Sequence, residues 1–192
     1  MPDNSVIPLF PLHAVLFPDG PLPLRIFETR YTDMVRRCMR EQQPFGVVLI
    51  EEGDEAGEVA TTATVGCTAR IADFHILHDG LLGIACVGAR KFRVERVWRA
   101  ADGLNMGEVS WLPEEAAVPL PPDYARLAVT LRRALEELAE HYEHVEKRFD
   151  DSAWVGARLA ELLPIELADK QALLELDDPV ARLDALMSIV PE

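Results

Sequence analysis

IPLFPLHAVLFPDGPLPLRIFETRY, from Ile7 to Tyr31, decides the fold. Pro8, Pro11, Pro18, Pro21 and Pro23 are set among Leu, Val, Ile and Phe. Proline has no N–H and a fixed φ, which confines it to strand edges, bulges and turns. Asp19-Gly20 supplies a turn between short apolar runs. The stretch then passes without a gap into a helical pattern. Short apolar strands broken by prolines and leading into a helix predict the entry of a small β-barrel.

Working outward, Glu28 to Arg40 shows a helical period, with Tyr31, Met34, Val35 and Cys38 on one stripe and Arg30, Arg36, Arg37 and Arg40 mostly off it. Phe45–Ile50 is a continuous apolar run, as in a strand buried on both faces. Glu51 to Glu58 reads as an acidic loop. Strands are predicted at Val59–Thr64, Val65–Leu77, Leu81–Val87, Lys91–Arg99 and Met106–Leu112, with turns at Asp79-Gly80 and Asp102-Gly103. In Lys91–Arg99, Phe92, Val94 and Trp98 are expected to face inward and Lys91, Arg93 and Arg99 outward, with Arg96 breaking the inward face. This half reads as a closed or nearly closed antiparallel sheet with one helix.

Pro113 to Pro122 (PEEAAVPLPP) has the composition of a semi-rigid spacer. Beyond it the pattern is helical. Tyr124, Ala128, Leu131, Leu135, Leu138, Tyr142, Val145 and Phe149 recur at spacings of four and three, predicting one long helix with an apolar seam. Asp151-Ser152 caps a second helix that ends at Pro164, Lys170–Leu176 forms a third, and Asp178-Pro179 opens a fourth. The expected organisation is a barrel over 1–112, a linker over 113–122 and a helical bundle over 123–192. The seam favours an intramolecular bundle, and so a monomer ahead of a homodimer.

The chain of 192 residues is 49% hydrophobic, enough for real cores. No apolar run approaches the roughly 18–20 residues of a membrane span, and MPDNSVIPLF does not read as a secretory leader. Cys38, Cys67 and Cys86 form no CxxC pair, which suits a reducing cytoplasm and argues against zinc or a disulfide framework. A net charge of −14 would repel phosphate backbones, so nucleic acid is not expected as a partner. Residues 1–112 carry 11 basic and 15 acidic groups, and 113–192 carry 8 and 18, so the acid is concentrated on the helices.

The LFP…LPLRIFE-RY signature within Ile7–Tyr31 closely resembles the opening of the Lon protease N-terminal (substrate-binding) domain family. VGCTARIADF, DGLLGIACVGARKFRVERVW, GEVSWLPEE and LAELLPIELADKQALLELDDPVARLDAL resemble later segments of that family in order. The resemblance implies an α+β fold, a PUA-like small β-barrel with one helix followed by an all-helical subdomain. It also implies binding of polypeptide, either unfolded segments or a protein partner. Full-length Lon proteases continue into ATPase and Ser–Lys protease modules, and this sequence stops before both. A stand-alone, proteolysis-related member is therefore expected.

Gly83 to Arg90 has the glycine spacing of a phosphate loop, but Ala89-Arg90 stands where Lys-Ser/Thr must reach phosphate and Mg²⁺. Lys91, Lys147 and Lys170 have no serine in a glycine-flanked nucleophile turn. Glu137, Glu140, His141 and His144 have helical metal-ligand spacing, yet lie off the apolar seam and read as a solvated face. His75 and His78 flank a strand end, and His13 reads as a hydrogen-bonded structural residue. No catalytic residue, cofactor or metal is expected. Arg90, Lys91, Arg93, Arg96 and Arg99 read first as a solvated basic strand face, then as a contact for an acidic peptide, and last as one for nucleic acid. Glu28 is expected to serve the helix start, paired with a neighbouring arginine.

The expectation is a non-catalytic polypeptide-binding protein that does not engage membranes. An extended peptide would be held by strand addition and pocket filling near Phe17, Pro18, Leu22, Leu24 and Arg25. Phe17 is expected as an exposed anchor and Phe27 as a buried core residue. A PUA-like barrel with a small-molecule pocket is the alternative.

Overall fold

Closure of the sheet is the first consequence of the proline-punctuated entry. The computed structural model describes residues 4–55 and 59–190. In it β1 (Asn4–Leu12) pairs parallel with β3 (Phe45–Gly53) and antiparallel with β7 (Asn105–Trp111). β7 pairs with β6 (Leu82–Arg99), β6 with β5 (Val65–Ile76) and β5 with β3, so five strands form a closed ring. β2 (Pro21–Ile26) adds to β6, and β4 (Val59–Thr62) adds to β3. Helix α1 (Thr29–Glu41) connects β2 to β3.

Alternation along β1 and β3 feeds two cores, which is why both strands read as apolar on both faces. Ile7, Leu9 and Val48 join Phe92 and Val109 in one cluster. Phe10, Leu12, Phe45 and Val47 join Tyr31, Met34, Val35 and Cys38 of α1 in the other. Phe10 stacks on Tyr31 with ring centroids 3.9 Å apart. The Phe92 ring takes the space left by two glycines: a Cβ on either Gly46 or Gly66 would stand 2.7 Å from its Cζ.

Several expected boundaries differ. β3 runs on through Glu51–Gly53, into the expected acidic loop, whose residues 56–58 lie outside the described residues, as do residues 1–3 of the expected non-leader. The two strands expected over Leu81–Val87 and Lys91–Arg99 are one strand of 18 residues. Gly88 is a point of close approach within it rather than part of a phosphate loop. A Cβ there would collide with the Phe17 carbonyl oxygen, and the Gly88 N–H donates to Gly20 O at 2.8 Å. Lys91, expected to face solvent, is 3% exposed. Arg96 follows a register shift between Val94 and Arg96, and this bulge produces the break in the inward face.

The chain divides into two units, Met1–Pro113 and Glu114–Glu192. The second holds α2 (Ala125–Glu137), α3 (Ser152–Leu162), α4 (Leu167–Glu175) and α5 (Pro179–Met187). The expected long helix from Tyr124 to Phe149 stops at Glu137, and only a 3₁₀ turn over Ala139–Tyr142 follows. Glu136, Glu140, Glu143 and Glu146 would stack like charges at helical spacings of three and four there, which opposes continuation. The seam nevertheless marks inward residues: Leu131, Leu135, Tyr142 and Val145 are buried, as is Leu127 beside them. Asp151 and Asp178 cap α3 and α5, accepting from Ala153 and Val180 N–H at 3.0 and 2.9 Å. Part of the proline-rich segment is held in this unit, since Leu120 N–H donates to Asp150 O and Ser152 N–H to Val118 O.

Arg182, 1% exposed, organises the helical unit. Its guanidinium donates to both Glu115 carboxylate oxygens at 2.8 and 2.7 Å and to the Leu173 and Leu176 carbonyls at 2.9 and 2.6 Å. Arg182→Met is expected to lower stability by about 3–5 kcal/mol in urea melts, because it strands a buried carboxylate. The double variant with Glu115→Leu should recover much of that loss. A second buried pair joins Arg158 to Glu161 at 2.7 Å. Burial pushes the Glu161 carboxyl up to about 7, against the pull of Arg158, Tyr142 and Lys170. A carboxyl that holds its proton more tightly folded than unfolded adds stability that is complete below about 4.5 and lost as pH rises through about 7. The urea midpoint of the wild type relative to Glu161→Gln should therefore fall from about pH 4.5 to 7.5 and then level. A difference independent of pH would show the carboxyl ionised throughout.

Candidate functional site

β2 ends at Ile26, and the next residue, Phe27, leaves the strand as the chain turns into α1. Phe27 is 60% exposed. Glu28 is the N-cap residue, and its carboxylate accepts from Arg30 Nε at 2.8 Å, the expected pair, but makes no capping hydrogen bond to a helix N–H. At the far end of β5, Phe74 and Ile76 are 54% and 70% exposed, and Met39 of α1 is 37% exposed. Gly80, at φ 83°, turns the β5–β6 hairpin, and Arg25 at the end of β2 forms an ion pair with Asp79 in that turn.

These side chains line connected hollows. The central one, about 530 Å³, is walled by Ile26, Phe27, Val35, Met39, Phe74 and Ile76, with Arg36 at its side. Through Met39 and Phe74 it shares walls with a hollow of about 580 Å³ that also holds Gln42, Gln43, Pro44, Arg70 and Asp73. Through Ile26, Phe27 and Leu81 it shares walls with one of about 420 Å³ that holds Phe10, Leu24, Arg25, Glu28, Tyr31 and Glu55. The result is an apolar groove between α1 and the end of the β5–β6 hairpin.

The residues expected to form the peptide site are distributed differently. Phe17 is fully buried, and so it is no exposed anchor; its backbone carbonyl also lies against β6 at Gly88. Pro18 is half-buried in the turn, and Leu22 and Leu24 pack partly against the α1 core. Only Leu24 and Arg25 of the expected set line a hollow of this groove. Phe27, expected in the core, is exposed instead. A hydrophobic residue preceding an N-cap normally packs against position N4 of the helix, but here N4 is Thr32, which offers no apolar partner. That mismatch is the signal in the sequence that could have found Phe27. Phe74 and Ile76 were hidden by an ordinary alternation with Asp73 and His75, which reads as a half-buried strand.

Both sheet edges near the groove are poor templates for an added strand. β2 carries Pro21 and Pro23, which lack donors. Arg70–Ile76 of β5 pairs only with β6 among the described residues, yet a register shift between Ile71 and Asp73 distorts it, and Asp73 Oδ1 accepts the Phe74 N–H at 2.8 Å. The basic strand face is also dispersed: Arg90 lies 5.0 Å over the Trp111 ring, Arg96 lies 5.8 Å over Trp98, and Arg99 Nε donates to Gly103 O at 3.1 Å.

Reactive chemistry has little support. All three cysteines are buried, and burial pushes the Cys38 thiol up and the Cys86 thiol up to about 12, away from thiolate character. Tyr31 is also pushed up, by burial first, with Arg30 opposing. The helical spacing that would have brought Glu137, Glu140, His141 and His144 together is lost with the end of α2. Among the described residues no group of three or more His, Cys, Asp or Glu is placed to hold a metal ion. His13 is exposed, and its backbone N–H rather than its ring makes the structural bond, to Glu55 at 2.7 Å.

Comparison with known proteins gives one consistent result. The model of a family described as the ATP-dependent protease La (LON) substrate-binding domain matches residues 6–192. A Lon protease of Cytophaga hutchinsonii is 26% identical over 97% of this chain, which covers 24% of that protein. The chain thus spans about a quarter of the length of such relatives. Among solved structures, a Lon N-terminal domain protein from Xanthomonas campestris is 41% identical with a TM-score of 0.80, covering 97% of this chain and 99% of that one. The N-terminal domain of Mycobacterium avium complex Lon protease has the same fold at 15% identity, with a TM-score of 0.66 over 96% of this chain and 97% of that one.

The burial of the two aromatic residues sets a stability test. Phe17→Ala is expected to cost about 3–5 kcal/mol in urea melts, as buried large-to-small changes do. Phe27→Ala should stay within about 1 kcal/mol of the wild type.

Proposed function

This chain belongs to the ATP-dependent protease La (LON) substrate-binding domain family, and from that premise we propose that it binds unfolded polypeptide in the groove between α1 and the β5–β6 hairpin. The observation that carries the reading is the exposure of Phe27, Met39, Phe74 and Ile76 around connected hollows. Exposed apolar groups in one concavity gain free energy by covering each other's surface with a partner, whereas singly scattered ones do not. Unfolded segments present such apolar side chains.

Anchoring by side chains fits this site better than strand addition, because Pro21, Pro23 and the distorted end of β5 leave few free donors in register. The barrel interior is filled by Ile7, Leu9, Val48, Phe92 and Val109, which favours the polypeptide reading over a small ligand held inside the barrel. Binding requires neither ATP nor cleavage. A cytoplasmic setting is part of the proposal and is compatible with three buried free thiols. No described helix is long and apolar enough to cross a membrane.

Titration of a labelled, permanently unfolded carboxymethylated protein tests the proposal. Phe27→Ser combined with Ile76→Ser should weaken binding roughly tenfold or more, as loss of anchors does. Its melting curve should match the wild type, and the bound protein should stay intact on a gel with or without ATP. Unchanged affinity in the double variant would move the site elsewhere on the molecule.

A further inference from the structure

We infer that the groove selects apolar segments that carry an acidic side chain, and that Arg70 receives that carboxylate; the inference rests on the polypeptide reading above. Arg70 is exposed at the wall of the hollow lined by Met39 and Phe74, and its guanidinium makes no ion pair or hydrogen bond among the described residues. Gln42 and Gln43 line the same hollow and add carboxamide donors. A guanidinium offers a planar fork that matches a carboxylate, and an unengaged one in a concave site can form that bond without first breaking another.

The neighbouring charges are mixed. Asp73, the acid in this hollow, opposes an acidic occupant, and its Oδ1 is turned to the Phe74 N–H. Arg36 lies at the wall of the adjoining central hollow, and its ion pair with Asp33 is 73% and 59% exposed. Exposed pairs of this kind are weak and exchange readily. A chain with a net charge of −14 thus presents cationic groups beside its exposed aromatic and aliphatic side chains. The bulk charge opposes an acidic partner at long range. At about 0.15 M salt the screening length is about 8 Å, so distant acids are muted while a direct contact with Arg70 is not.

The two hollows have Met39 and Phe74 as common walls, so the occupant we infer is a segment lying along both that presents an internal acidic side chain, rather than a chain terminus, to Arg70. Three labelled peptides test this, each with the same Phe- and Leu-containing core and blocked at both termini, flanked by Asp, Ser or Lys. In fluorescence anisotropy near 0.15 M salt, the Asp peptide should bind about two- to fivefold tighter than the Ser peptide, and the Lys peptide weakest. The preference should shrink near 1 M salt. Arg70→Gln, with its fold checked by circular dichroism, should bring the Asp peptide to the affinity of the Ser peptide. Equal binding of all three, or a lead for the Lys peptide, overturns the selectivity and leaves polypeptide binding standing. Binding of none overturns both.

Discussion

The aromatic ring of Phe92 is the constraint around which the sheet closes. It stands where β3 and β5 have no side chains, at Gly46 and Gly66, and Leu9 and Ile7 also reach within 2.9 Å of where a Gly46 Cβ would sit. Interiors tolerate neither voids nor overlap, so this filling and the two bare backbones specify each other. β1 can then lie parallel to β3 with Leu9 opposite Gly46. The second face of these strands is left to Phe10, Phe45 and Val47, which is what α1 covers. The position of α1, and with it one wall of the groove, follows from how the barrel is filled.

Features set by near neighbours in the sequence were legible there. Phe45–Ile50 is buried throughout, the stripe of Tyr31, Met34, Val35 and Cys38 faces the core, and Asp151 and Asp178 cap helices because an acceptor at that position satisfies a free N–H. What was not legible depends on layers that come together from distant parts of the chain. Nothing near Phe17 or Phe27 says which of two similar rings the fold will bury. Gly88 looks like half of a phosphate loop until the Phe17 carbonyl is seen against it. The Tyr124–Phe149 seam gave the inward residues correctly but not the helix, since apolar spacing survives a break that charge repulsion imposes.

The groove illustrates how a sheet can be sticky without being a hazard. An edge strand with free donors and acceptors will pair with any extended chain. Here the backbone is made unattractive by prolines on β2 and by a bulge and an aspartate on β5, while apolar side chains remain available. Attraction of this kind is non-directional and tolerant of sequence. Such tolerance suits the binding of unfolded segments proposed above.

The two partners of β1 also order events in time. Asn4 lies opposite Ser110 in the β1–β7 ladder, and Leu9 lies opposite Gly46 in the ladder with β3. During synthesis the first strand of the sheet therefore stays only partly paired until β7 has emerged, because the ring cannot shut before then. Pairings so far apart in sequence make for slow folding, on the order of milliseconds to seconds in comparable topologies. Until then β1 and β6 both present open ladders. A protein proposed to bind unfolded chains thus itself passes through a stage in which it resembles one.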